Sequence, residues 1–328
     1  MKLTITRSGF LSTVQDLGRV SLRQFGVSVG GALDLHALRV ANLLVGNDEN
    51  AAALEITSGL VRLQFDDQRI VAWCGGEYDV AVGSRQIPSG HSAYVGANEE
   101  LSIAGPREGC RAWLAISGGI DVPVVLGSRS TDLRGSFGGF EGRALRDGDV
   151  ISLGSNSACA KTLIDRLGQE KIAAWSISHD WSNPAQQEPM LRVVHGSDWG
   201  RFDDSLHNAL TSETFLVSPD SDRMGARLEG PKLRRREACD LISEAVAPGT
   251  IQVPPDGKPI VLLGDCQTIG GYPKIAHVAT VDLPVAAQLR AGDRVRFREV
   301  SLADAHRFLS ERNGDLEQFR VGIKLQMR

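Results

Sequence analysis

A chain of 328 residues, 42% hydrophobic and 23% charged, has enough apolar material for two packed domains or one large β domain, and its composition is not that of a disordered chain. Its formal net charge is −4, and its longest basic cluster, Arg234-Arg235-Arg236, runs directly into Glu237, so nucleic acid is excluded as an expected partner. Five scattered cysteines (Cys74, Cys110, Cys159, Cys239 and Cys266) form no CxxC pair, no apolar run approaches a membrane span, and the Met1-Lys2-Leu3-Thr4-Ile5 alternation reads as a strand and not a signal peptide; the expectation is a metal-free protein of the cytoplasm, away from the membrane.

Along the chain the apolar runs are short, and most end on glycine. Residues 70–73 precede Gly75-Gly76, 93–95 precede Gly96, 112–116 precede Gly118-Gly119, and 260–263 precede Gly264. Each has strand length and a turn residue after it, which predicts a mainly β chain. Helical spacing is rarer: residues 35–44 after Asp34, 205–210, and 302–312, the last bounded by Ser301 and by Asn313-Gly314. Residues 155–187 lack alternation and are rich in Ser and Asn, which predicts a surface connection and the division 1–160, linker 161–184, and 185–328. The two halves echo each other. Leu145-Arg146-Asp147-Gly148-Asp149 and Leu289-Arg290-Ala291-Gly292-Asp293 each introduce an alternating run, and Ile87-Pro88-Ser89-Gly90 has a weaker counterpart in Val253-Pro254-Pro255-Asp256-Gly257.

The familiar catalytic fingerprints are missing: no GxxxxGK[ST], no GxSxG, no HExxH, no Met-Lys-Met biotin site. Four polar, glycine-rich blocks remain. The first is Gln15-Asp16-Leu17-Gly18-Arg19 with Arg23, Gly26 and Gly30-Gly31, where Arg19 offers a forked donor. The second, Ser117-Gly118-Gly119-Ile120-Asp121-Val122-Pro123 with Leu126-Gly127-Ser128-Arg129-Ser130-Thr131-Asp132, gathers hydroxyls around Arg129; it suits an anion or amide carbonyl as well as it suits a turn that satisfies its own backbone. The third, 219–230, carries Asp222, Arg223 and Arg227, and a charged hairpin is the default reading. The fourth is the richest: residues 249–257 with Gln252, then Gly264-Asp265-Cys266-Gln267-Thr268-Ile269-Gly270-Gly271-Tyr272-Pro273-Lys274. An acid, two amides, a hydroxyl, a phenol and an amine lie close together there. Asp265 is the candidate general base beside Lys274, and Gln267 and Thr268 are candidates to polarise a carbonyl. Cys266 reads as an inert buried thiol, and His195, near Asp198, is a weaker candidate.

In this order the blocks resemble the family of 5-oxoprolinase C subunits, also described as KipA-like or biotin-dependent carboxyltransferase, which is similar to the second half of the urea amidolyase carboxyltransferase domain. The resemblance implies two cyclophilin-like β-barrel-type halves with a few short helices. It implies membership of an ATP-dependent 5-oxoprolinase complex that opens 5-oxo-L-proline to L-glutamate, active only with B-like and A-like partner subunits. ATP would be used by the assembled complex, with no cofactor bound by this chain alone. The family motifs assign no catalytic roles; the residues themselves make Asp265 and Lys274 the expected catalytic residues, with Arg19, Arg129, Ser130, Arg223, Gln252, Gln267, Thr268 and Tyr272 expected to bind a small amide. Two other roles fit the same resemblance: the carboxyltransferase component of a biotin-dependent urea or amide carboxylase, and a KipA-like binding module that counters a kinase inhibitor. Val194-His195-Gly196-Ser197-Asp198 departs from the Pro-Gly-Pro-like turn usual in the family at that place.

Overall fold

A computed structural model describes residues 1–234 and 241–327. Arg235, Arg236 and Cys239 lie outside the described residues. The chain is mainly β and divides into two units. The first takes residues 1–18, 34–185 and 315–328, and the second takes 19–33 and 186–314.

The first unit is built on a sheet whose path runs Ile172–Ser176, His91–Val95, Arg69–Val82, Glu100–Ile116, Gly59–Phe65, Lys2–Ser8 and Val150–Ser152, with Ala53–Thr57 also pairing with Glu100–Ile116 and Leu11–Gln15 pairing with Ala53–Thr57. Strand Arg69–Val82 does not stop at Gly75-Gly76, as its sequence suggested. It bulges there, and the register against Glu100–Ile116 shifts between Gly75 and Glu77. Gly75 has φ +134°, and a Cβ on it would lie 2.3 Å from the Arg111 carbonyl oxygen, so only glycine lets the strand continue. Leu3, Ile5, Leu63, Phe65, Val80, Leu101 and Leu114 fill the core. Helix Leu35–Leu44 forms where predicted, with the Asp34 carboxylate accepting from the Ala37 N–H.

The second unit is a closed seven-stranded barrel, in the order Met190–His195, Lys274–Val278, Thr250–Gln252, Ile260–Leu262, Gly225–Glu229, Phe215–Val217 and Arg294–Glu299. Parallel pairing of Leu191 with Phe297 and of Val193 with Glu299 closes the ring, which leaves no free sheet edge. Alternation sends Leu191, Val193, Phe215, Val217, Val295 and Phe297 inward, all buried, and the Phe215 and Phe297 rings meet edge to face at 5.7 Å. Burying each ring contributes about 1.5–3 kcal/mol.

Three expectations change. Residues 161–184 are not a loose connection: helix Ala158–Glu170 starts at Ser157, which caps the Ala160 N–H, and strand Ile172–Ser176 pairs with His91–Val95. That helix buries Ala160, Leu163 and Leu167, an apolar face the Ser-rich composition masks. The change of unit falls between residues 185 and 186, but residues 19–33 and 315–328 each belong to the opposite unit from their sequence neighbours. The last helix does not end at Asn313-Gly314. It runs over Leu302–Gln326, because Leu316 and Ile323 are buried, Phe319 meets Trp181 at 5.9 Å, and Arg320 bonds Glu49 at 2.7 Å. These contacts outweigh the cost of about 1 kcal/mol for a helical glycine. The helix 205–210 is Asp204–Ser212, capped by Asp203.

The Leu-Arg-x-Gly-Asp echo is a shared device. In the first unit Asp149 Oδ2 accepts from Arg146 N at 2.8 Å, Gly148 has φ +88° and donates to Ile5 O, and Ile5 donates back to Asp149 O. In the second, Asp293 Oδ2 accepts from Arg290 N at 2.9 Å, Gly292 has φ +91° and donates to Val217 O, and Val217 donates back to Asp293 O. The second echo is not shared: Gly90 donates to Trp73 O, whereas Gly257 closes a local turn onto Pro254 O. No helix among the described residues is long and apolar enough to cross a membrane.

Candidate functional site

The second unit brings most of the candidate residues together. Its segment 19–33 is a strap. The 3-10 turn Val20–Phe25 ends on Gly26 in the left-handed region, and the Arg19 N–H returns to Val29 O at 2.7 Å. The strap lies on the fourth block, where Gly30 N donates to Gly264 O at 3.1 Å. Arg223 locks the arrangement. Its Nε and Nη2 donate to Asp265 Oδ2 and Oδ1 at 2.8 and 3.0 Å, and Nη2 also donates to Gly31 O at 2.7 Å. Arg223 is 5% exposed, so this forked pair is held largely out of water. Arg19 is buried beside it: a Cβ on Gly30, which has φ +60°, would lie 3.5 Å from Arg19 Nη1 and 3.9 Å from Asp265 Oδ1. The first and fourth blocks therefore meet, through residues 19–33. Arg223 commits its guanidinium to Asp265 and Gly31, with Arg19 buried beside them.

That clamp corrects the expected Asp265–Lys274 pair. Lys274 opens strand Lys274–Val278 and has its own acids: Nζ lies 2.7 Å from Glu244 Oε2 and 3.8 Å from Asp198 Oδ2. Asp198 also accepts from the Lys274 N–H at 2.9 Å and donates its own N–H to the Lys274 carbonyl. Gly196 permits this approach, since a Cβ there would sit 2.1 Å from Lys274 O. The 194–198 turn thus carries Asp198 inward. His195 goes the other way: it stacks on Trp199 at 3.9 Å and bonds Glu299 at 2.8 Å. Cys266 is buried, which pushes its thiol up to about 11 although Arg23 pulls it down. An un-ionised thiol is no nucleophile, in line with the inert reading.

Beyond Met224, the neighbour of Arg223, lies a cavity of about 630 Å³. Gln252, Gln267 and Tyr272 line it together with Met224, Arg227, Lys258 and the 254–256 turn. A register shift between Ile251 and Gln252 on the strand Lys274–Val278 sets the Gln252 side chain, which is 1% exposed. Gln252 Nε2 donates to Tyr272 O, and Gln267 Nε2 donates to Gln252 Oε1, both at 3.3 Å. Tyr272 is 45% exposed. Thr268 offers its carbonyl to the Val246 N–H, and Ile269–Gly270 pairs with Glu244–Ala245 to shape the loop. Lys258 lies 3.3 Å from Glu229.

Arg129 and Ser130 belong to the first unit, around Asp16. Ser128 Oγ and Ser130 Oγ donate to Asp16 Oδ1 at 2.5 and 2.6 Å, the Gly18 N–H joins them at 2.8 Å, and the Arg129 N–H reaches Oδ2 at 2.6 Å. Both serines are buried. The second block is therefore a turn that satisfies itself, and Ser130 braces Asp16 with the hydroxyl that was expected to meet substrate. The Arg129 guanidinium is directed elsewhere, donating to Val122 O at 3.1 Å.

Residues 25–299 match the carboxyltransferase domain, subdomain A and B. The chain belongs to that carboxyltransferase family. It is 38% identical over 316 residues to the C subunit of 5-oxoprolinase from Escherichia coli (strain K12), covering 96% of this chain and 97% of the relative. It is 31% identical to urea amidolyase of Saccharomyces cerevisiae, spanning 99% of this chain but 18% of that protein. The crystal structure of K. lactis urea amidolyase superposes with a TM-score of 0.84 and 28% identity over 97% of this chain, which is 20% of that one.

Within this carboxyltransferase framework, sequence reading missed Arg227, Lys258, Met224, Glu244 and the inward role of Asp198. Lys258 stood in view, directly after the Pro254-Pro255-Asp256-Gly257 turn. Arg227 stood in the third block near Asp222, but Asp222 caps the Met224 N–H at 2.8 Å instead. Nothing in the local sequence pairs Lys274 with Glu244, 30 residues away.

Proposed function

We propose that this chain is the C-type component of an ATP-dependent 5-oxoprolinase, working in the cytoplasm with A-like and B-like partner subunits and opening 5-oxo-L-proline to L-glutamate. The observation that carries this reading is the end-to-end match to the 5-oxoprolinase C subunit, which covers nearly all of both chains. The urea amidolyase relatives, by contrast, contain this chain as about a fifth of a much longer protein.

A lactam is a poor electrophile. Transfer of the ATP γ-phosphoryl to its oxygen activates the ring carbon, water adds there, and the C–N bond breaks to give glutamate, ADP and phosphate. This chain supplies the binding cavity: Gln252, Gln267 and Tyr272 provide directed polar groups, and Arg227 and Lys258 provide cations for a carboxylate. The ATP step and its cofactor requirements belong to the assembled complex.

The test is glutamate release from 5-oxoproline by this chain together with its co-purifying subunits. Release that requires ATP and stops when this chain is left out is expected. The urea amidolyase likeness favours one other reading, biotin-dependent carboxyl transfer to urea. A biotin carboxylase in the complex and urea carboxylation without glutamate release would replace the first reading with the second.

A further inference from the structure

The polarity of the cavity wall is fixed by one backbone carbonyl. The Tyr272 oxygen can only accept, so the Gln252 amide must present Nε2 to it, as it does at 3.3 Å. Gln252 Oε1 then points the other way. An oxygen again can only accept, so Gln267 must present Nε2 to it, also at 3.3 Å. Gly270 keeps the first link in place, because a Cβ there would meet Gln252 Nε2 at 2.6 Å. After this chain of bonds Gln267 has one N–H and its Oε1 left to offer the cavity it lines.

An amide that offers an N–H and a C=O is matched by another amide carrying both groups on one edge. A lactam ring forces that cis arrangement, and urea has it too. Open-chain secondary amides rarely adopt it, and a lactone has no N–H at all. We infer that Gln267 reads the cis-amide edge of the substrate: the ring N–H donates to Gln267 Oε1 while the remaining Gln267 N–H donates to the ring carbonyl. This rests on the 5-oxoprolinase reading and narrows it, assigning the cavity to small cyclic or urea-like amides. It also changes the part expected of Gln267, which both accepts from and donates to the ligand instead of only polarising a carbonyl.

The test measures competitive binding to the full chain and to its complex. Its probes are 5-oxoproline, the γ-lactone of 2-hydroxyglutaric acid as the ring-oxygen counterpart, and N-methyl-5-oxoproline. Loss of the N–H should weaken binding about tenfold for both analogues. Gln267→Met, similar in length but without the amide, should bring 5-oxoproline down to the same level, so that the ratio falls to about one. Equal binding of all three probes to the unaltered protein, an unchanged ratio in Gln267→Met, or no binding of any probe overturns the inference. Should Gln267→Met fail to fold, the three probes on the unaltered protein decide. Glutamate release separates the two claims. Lactam selectivity in a complex that makes no glutamate overturns the 5-oxoprolinase reading and leaves the cis-amide edge standing. Glutamate release with no lactam selectivity does the reverse.

Discussion

Asp16 and Asp265 are both acids in glycine-rich blocks with arginines close by, and the two units hold them in opposite ways. Asp16, 3% exposed, sits in a cage of neutral donors: two serine hydroxyls and the N–H groups of Gly18 and Arg129. Asp265 is gripped by the Arg223 guanidinium, which also ties down Gly31. Neutral donors distribute the cost of burying one charge over several groups, and removing one leaves the others in place. A buried forked ion pair concentrates its electrostatics in one contact, so breaking that contact costs more. Sequence proximity is a poor guide to which arrangement forms, since Arg129 serves Asp16 with its backbone across 113 residues and Arg223 reaches Asp265 across 42.

The largest effect is therefore expected for Arg223→Ala. It removes the forked guanidinium from Asp265 and a donor from the Gly31 carbonyl, and should cost about 3–5 kcal/mol of unfolding free energy in a denaturant titration. Arg223→Lys should recover little, because one ammonium cannot span both carboxylate oxygens and the carbonyl. Ser130→Ala removes one neutral donor from Asp16 and should cost about 1–2 kcal/mol. If Ser130→Ala proved as damaging as Arg223→Ala, the contrast between cage and clamp would collapse.

Smaller effects sharpen the same contrast at Lys274. Glu244 is 63% exposed at its side chain and Asp198 10%. Glu244→Gln should shift stability by less than about 1 kcal/mol, and Asp198→Asn by more, since Asp198 also holds the Lys274 backbone. The smallest effect is a pH dependence. Burial, aided by Lys274, holds the His277 imidazole below its ordinary 6.5. The unfolded chain thus binds that proton first as the pH falls, so the stability His277 contributes is present above 6.5 and is lost as the pH drops through the window below it. His277→Gln should flatten the unfolding free energy between about pH 7 and 5.

Much of the fold could be read from local rules. Alternation and turn residues placed the strands, Asp34 marked the helix Leu35–Leu44, and the Leu-Arg-x-Gly-Asp echo identified a turn built twice. The errors came where tertiary contacts override local signals. Gly75 bulges a strand instead of ending it, and Asn313-Gly314 is carried through a helix by Leu316, Phe319 and Arg320. The site was legible as a set of blocks and not as pairings. Gln252, Gln267 and Tyr272 do share a cavity wall, and residues 19–33 do reach the fourth block. Asp265 and Lys274, nine positions apart, take partners at 223, 244 and 198, and no local pattern encodes contacts at such separations.

The claim on which the account turns is that Asp265 is framework and the neighbouring cavity does the binding. It is tested most directly by Asp265→Asn, measuring the melting temperature and the ATP-dependent release of glutamate per folded molecule of the assembled complex. A lowered melting temperature is expected, because the forked Arg223–Asp265 ion pair is broken, with turnover per folded molecule within about threefold of the unaltered protein. An unchanged melting temperature with turnover reduced about 10²–10⁴-fold would contradict it and make Asp265 the proton acceptor.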